Sequence, residues 1–277
     1  MNIELTEELI QSVLPNTLIT VDEEIPLSTR IEPYVKDSVR WLESLVIGDV
    51  QLPPELEEMA VRAVILRAVI HAVPALDIVV TPTGFGVVSA DGLVPASKER
   101  IERLISTLSR YLDSTILILQ TKCIHCPKWQ ESPRGKWYCS TFYPYLGDAS
   151  SLTKEGQDLF QVYKTARGIA EQFENKLAEE YLGYDLMAFL KSEYYGNSDK
   201  YFNVLSLLHD GICRYVAQNI KSRNSGCPNP HVPWHFAESV LRLVRQDKKL
   251  HKIWKDTMGK KFEVEPFQNT RKGAFFF

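Results

Sequence analysis

Cys123-Ile-His-Cys126 followed by Cys139 gives the spacing C-x2-C-x12-C, and thiolates so placed could bind zinc. A structural zinc site needs four ligands, and no second C-x2-C or H-x3-H pair lies at a matching distance. Cys227, His231 and His235 would have to fold back from far along the chain. The five cysteines are therefore expected as free thiols, and no metal is expected; Cys123, Cys126 and Cys139 remain the only candidate ligands. His209-Asp210 sets a base beside a carboxylate, but adjacent residues of a helix point about 100° apart and do not face each other. His209 is read as a structural histidine, and Glu57-Glu58 and Glu179-Glu180 as helix-surface acids. Gly84-Phe-Gly86 lacks the third glycine of a dinucleotide loop, and no phosphate loop, G-x-S-x-G elbow or H-E-x-x-H pair occurs. The residues predict neither a catalytic site nor a cofactor.

The elements that could carry a different kind of function are mostly helical. Leu5 to Val13 reads as a short helix with Thr6 as its cap, ended by Pro15-Asn16. Thr29 to Ile47 is amphipathic, with Ile31, Tyr34, Val35, Val39, Leu42, Leu45 and Val46 on one stripe, Pro33 in its first turn and Gly48 at its end. Pro53-Pro54 opens a helix from Glu55 to about Val73 that is apolar on most faces, as the central helix of a bundle would be; Arg62 and Arg67 should point outward or pair with the acidic N-terminal segment. Lys98 to Tyr111 is a third amphipathic helix, continued in pattern by Asp113 to Leu119.

A stretch dense in Trp, Tyr, Pro and Cys follows, read as a packed connection. The second half then repeats the first in outline: Thr165 to Gly183 matches Thr29 to Gly48 in length and pattern, and an apolar helix, Tyr201 to Ile220, comes after it. A basic amphipathic helix runs from Pro233 to about Met258. The expected fold is mainly α, with two helical-bundle modules in tandem. The first spans residues 1–122, the aromatic and cysteine-rich connection 123–150, the second module 151–260 and an extended tail 261–277, with a boundary near Leu146 to Thr153.

One insert departs from the helical pattern. Between about residues 79 and 95, Gly84, Phe85, Gly86, Val87 and Val88 combine permissive glycines with strand formers, and Asp91-Gly92 is a turn signal. This predicts a protruding β-hairpin, closed by Pro95 and by Ser97 as cap of the next helix, and a protruding hairpin on a helical protein is a surface for a partner. The last residues, Arg271, Lys272, Gly273, Ala274, Phe275, Phe276 and Phe277, either pack on their own domain or anchor in another protein, steered by the two cations.

Charge is polarised along the 277 residues although the net is only −3. Residues 1–60 hold thirteen acids against three bases, and residues 242–272 hold ten bases against four acids. Solvated helix faces would account for this. So would head-to-tail association, a heterologous contact that closes into rings when its rotation permits. The longest apolar stretches fall short of the roughly 20 residues of a membrane span, and Met1 to Glu8 lacks the basic start of a signal peptide, so a cytoplasmic protein is expected. The basic C-terminal helix carries no groove-reading motif, so sequence-specific nucleic-acid binding is not expected.

The order of helices, the string Thr81-Pro-Thr-Gly-Phe-Gly-Val-Val-Ser89 with Pro95-Ala-Ser97, and the helix entry Lys98-Glu-Arg-Ile-Glu-Arg103 resemble the head–tail connector (adaptor) proteins of tailed bacteriophages. The likeness extends to a prophage family of gut bacteria over most of the chain, including Leu76-Asp-Ile-Val-Val-Thr-Pro82 and Gly273 to Phe277. It implies a non-enzymatic virion protein, a ring of usually twelve copies at the neck, assembled in the host cytoplasm. Its neighbours would be the portal protein and a tail or neck-completion protein. The C-terminal segment would dock on the portal, and the hairpin on a neighbouring subunit or the next ring. This chain is longer than simple connectors. Two alternatives stand beside it: a tail-completion or tail-terminator protein of a phage or contractile device, and a zinc-stabilised regulatory or DNA-packaging accessory protein.

Overall fold

Several helices begin where a side chain accepts from a free amide or where a proline supplies none. In the computed structural model, which describes residues 1, 3–14, 26–76, 78–81, 84–87, 97–154, 157–196, 199–224 and 233–259, Thr6 accepts from the Leu9 amide at 3.2 Å and starts α1 (Glu7–Val13). The next helix, α2, runs Leu27–Leu42 and so begins before the expected Thr29. Pro33 therefore lies inside it and not in its first turn; the residue is on the exposed side, where water can serve the carbonyl left without a donor. α2 buries Ile31, Val35, Ser38 and Leu42 at three- and four-residue spacing. The winding then widens: Glu43–Ile47 is a π turn, closed by the Gly48 amide donating to the Glu43 carbonyl at 2.8 Å. Gly48 has φ 68° and ψ −158°, a region that a Cβ essentially forbids.

α3 (Pro54–Leu76) packs against both α2 and α4 (Lys98–Ile124). Ala60, Ala63, Val64, Ile65, Ala68, Val69 and Ala72 are fully buried along it. Each aliphatic chain so removed from water contributes roughly 1.5–3 kcal/mol, and the alanines let neighbouring helices come close. α4 unites two stretches that the periodicity separates, because no Gly or Pro interrupts residues 98–124. Ser97 accepts from the Arg100 amide at 3.4 Å at its start. Between α3 and α4, β1 (Ile78–Thr81) pairs antiparallel with β2 (Gly84–Val87), with Val79 opposite Gly86 and Val80 opposite Phe85. The rest of the expected insert, including Val88 and Asp91, lies outside the described residues.

Contacts divide the chain into a first unit, Met1–Ser140 with Pro144–Lys164, and a second, Thr141–Tyr143 with Thr165–Phe277. The division differs from the boundary expected near Leu146 to Thr153 and falls within α8 (Leu159–Leu177). The reason is aromatic packing. α5 (Pro127–Glu131), α6 (Pro133–Tyr138) and α7 (Leu146–Ser150) bring the Tyr138 ring within 5.6 Å of both Trp129 and Tyr163, so residues read as a connection form part of the first unit's core.

In the second unit α8 ends in another π turn, Ala178–Leu182, and α9 (Tyr184–Tyr195) follows, a helix that the periodicity did not separate. A short 3-10 turn leads into α10 (Phe202–Asn224). The basic helix expected as one piece is two, α11 (Trp234–Gln246) and α12 (Lys248–Trp254), because the Asp247 carboxylate caps the amides of Lys249 and Leu250 at 2.9 and 3.0 Å. Phe173 of α8 stacks on Tyr215 of α10 with centroids 4.0 Å apart.

The two units share one local arrangement. In each, a long helix passes into a five-residue π turn closed by a glycine of positive φ, Gly48 in the first and Gly183 (φ 81°) in the second. In each, a later indole N–H donates to the carbonyl of the turn's fourth residue: Trp129 to Val46 at 2.9 Å, and Trp254 to Tyr181 at 2.8 Å. A side chain from the later string packs on each glycine, Arg134 on Gly48, and Thr257 and Met258 on Gly183. The strings that supply these groups, Trp129-Gln-Glu-Ser-Pro-Arg-Gly135 and Trp254-Lys-Asp-Thr-Met-Gly259, match with one residue fewer in the second.

Candidate functional site

The residues whose types suggest chemistry serve packing. Cys123 is fully buried in the last turn of α4, and burial, with Cys126 adding to it, pushes its thiol up to about 12. Burial likewise pushes Cys139, just past α6, up to about 12. Both therefore stay protonated thiols at neutral pH in the metal-free protein. Cys123, Cys126 and Cys139 do not converge, and no set of three ligating side chains among the described residues contains any of them.

His209 is tied into the second unit's interior. Its Nδ1 lies 2.9 Å from the Phe142 carbonyl and 3.2 Å from the Tyr194 hydroxyl, and its Nε2 lies 3.7 Å from the Cys213 sulfur. It helps hold the segment Thr141–Tyr143, whose other anchor sequence reasoning missed. Glu174 is 2 % exposed, and one of its oxygens accepts from the Thr141 hydroxyl at 2.5 Å and the Phe142 amide at 2.7 Å. The other oxygen pairs with Lys191 Nζ at 2.7 Å. The Tyr195 hydroxyl donates to the Thr141 carbonyl. The only signal for Glu174 was its place one residue past Phe173, at the edge of the apolar stripe of α8.

Arg67 is half-buried against α2, and the acidic stretch near residues 17–26 that it was expected to meet lies almost wholly outside the described residues. Its guanidinium lies 4.6 Å from the Trp41 ring centroid and 3.4 Å from the Ser38 hydroxyl, and burial lowers its pKa against the opposing pull of Asp37. His71, also on α3, is lowered by burial and then by Arg67. Asp113 is raised by burial and by Asp158, which faces it across a cleft of about 360 Å³ lined also by Trp41 and Phe160. Asp158 is committed there to capping α8, accepting from the Gln161 amide at 2.8 Å.

What the described surface offers is contact area. In the first unit, Tyr111 and Ile118 of α4 lie seven residues apart, on one face, and are 55 % and 51 % exposed. In the second, Tyr184, Phe202 and Trp234 are exposed, and Trp234 sits 5.3 Å from the Tyr181 ring. A groove of about 730 Å³ runs between the N-terminal residues and the start of α3. The expected partner-binding residues Gly84, Phe85, Gly86 and Val87 fall on β2, whereas Arg271, Lys272, Phe275, Phe276 and Phe277 lie outside the described residues. Among the described residues no helix is long and apolar enough to cross a membrane.

The model of a family of unknown function, DUF6712, matches residues 29–138 of the chain. The matched stretch, less than half of the chain, runs from α2 to Tyr138, whose hydroxyl donates to the Leu45 carbonyl of the first π turn at 2.9 Å. It therefore takes in the turn, the glycine and both side chains that cap them. No curated protein and no solved structure matches the chain.

Proposed function

We propose that this protein is a non-enzymatic assembly component, a head–tail connector that joins copies of itself into a ring at the neck of a phage particle. The observation that carries the reading is the conjunction of a mainly helical fold with side chains of reactive type committed to packing. Cys123 and Cys139 are buried thiols, and His209 and Glu174 hold Thr141–Tyr143 in place. The paired strands β1 and β2 interrupt the helices where the hairpin resemblance lies, and they are the proposed contact element toward a neighbouring subunit or ring. The two units, each built on a π turn sealed by an indole, are the tandem modules of this reading. The segment Arg271 to Phe277 supplies the second contact, with the portal among its candidate partners.

Quantitative mass spectrometry of purified particles, referenced to the portal, tests the proposal. About one copy per portal subunit supports a neck ring of the usual twelvefold kind. Absence from particles overturns it.

A further inference from the structure

We infer that the groove between the N-terminal residues and the start of α3 is the seat for the segment Arg271–Phe277 of a second copy. The inference rests on the ring reading, because a ring subunit needs one heterologous contact that every copy both offers and accepts.

The groove has an apolar floor made by Ile3, Leu9, Val13 and Met59. Glu4, Glu55, Glu57 and Glu58 stand around it, and Arg62 and Lys122 also reach it, so acids outnumber bases four to two. Among the described residues none of these four glutamates forms an ion pair. Glu57 also lines an adjoining groove of about 320 Å³ that adds Asp49, and Glu43, which is paired with the Met1 ammonium at 2.7 Å. The surface therefore offers unpaired carboxylates around a hydrophobic trough, of the volume that encloses a drug-sized molecule.

The segment Arg271–Phe277 has the reciprocal chemistry. Arg271 and Lys272 precede Phe275, Phe276 and Phe277, separated from them only by Gly273 and Ala274. Extended, the stretch from Lys272 to Phe275 spans roughly 10 Å, so cations can meet the glutamate rim while phenyl rings enter the trough. Three aromatic side chains removed from water supply the affinity, and the charges supply register and encounter rate. Because acids crowd residues 1–60 and bases crowd residues 242–272, the contact brings opposite ends of two chains together.

The test uses full-length protein. Copies carrying the photo-crosslinker p-benzoylphenylalanine in place of Phe276 are mixed with isotopically heavy, otherwise unaltered copies and irradiated, and the linked peptides are sequenced. Links from light to heavy chains at residues 1–13 or 54–62 are expected. Glu55→Lys with Glu58→Lys should cut them about tenfold, and Arg271→Glu with Lys272→Glu on the donor should restore them. Links confined to the donor's own chain, or an inter-chain yield unmoved by Glu55→Lys and Glu58→Lys, overturn the inference. Recovery of the tail linked only to portal, in particles that do contain the protein, overturns this inference and leaves the ring reading standing. Absence from particles removes the ring reading alone, because the copy-to-copy link is measured without them.

Discussion

At the scale of single residues, the groups with chemical potential hold structure, and their removal should be felt as lost stability. Glu174 is the clearest case, because one buried carboxylate serves a hydroxyl, an amide and an ammonium. Glu174→Ala removes the carboxylate from all three, and urea unfolding should show a loss of about 3 kcal/mol, the low end for a buried pair because Lys191 is partly exposed. Glu174→Gln keeps an acceptor and should cost less. Cys123 and Cys139 predict a pH dependence. Their folded values, about 12, lie above the unfolded value of 9.0, so the folded state retains protons that the unfolded chain releases. Stability from this source is complete below about pH 9 and is lost as pH rises toward 12. The urea midpoint should fall across that range, and Cys123→Ala with Cys139→Ala should flatten the slope while lowering the plateau through the cavities left behind. Equal slopes in both proteins would assign the alkaline loss to other groups.

At the scale of elements, the two π turns are the points on which each unit depends. Both closing glycines occupy backbone angles that side chains avoid, and an added Cβ would lie 2.9 Å from Arg134 at Gly48 and 2.6 Å from Thr257 at Gly183. Gly48→Ala and Gly183→Ala should each cost about 1–3 kcal/mol from backbone strain alone. Trp129→Phe and Trp254→Phe keep an aromatic ring but withdraw the donor from Val46 or Tyr181, which should cost about 1–3 kcal/mol each. Calorimetry of the single and paired variants checks both. Within one unit, Gly48→Ala and Trp129→Phe act on the same turn and should be non-additive; across units, Gly48→Ala and Gly183→Ala should add. The likeness of Thr165–Gly183 to Thr29–Gly48 was legible as a pattern of helix and glycine. That each turn widens and receives an indole from more than 70 residues away was not, because nothing local in the sequence marks which carbonyls will lack partners.

At the scale of the whole molecule, the proposed function is association between copies. Charge segregation between residues 1–60 and 242–272 would make the proposed copy-to-copy contact sensitive to salt. Light scattering of the purified protein should show self-association at about 0.05 M salt that weakens at about 0.5 M, where screening confines charges to contact range. Association unchanged by salt would instead give the aromatic groups the whole contact. Deleting Arg271 to Phe277 should leave helix content and melting unchanged while abolishing association; a large loss of melting temperature would make those residues part of a core.

Periodicity in the sequence was enough to determine that the protein is helical, roughly where α2 and α3 run and where α4 begins, and that β-forming residues interrupt them near residue 80, because an apolar stripe and a run of strand formers are local properties. It also determined the absence of any known catalytic motif and the polarity of charge. The tertiary structure alone decided that the aromatic residues near Trp129 and Tyr138 close the first unit and do not connect two. It also decided that Arg67 folds onto Trp41, and that Glu174 and His209 clasp Thr141–Tyr143. Those outcomes depend on which groups meet across tens of residues, and a buried hydrogen bond is specified by the geometry of both partners, not by the identity of either.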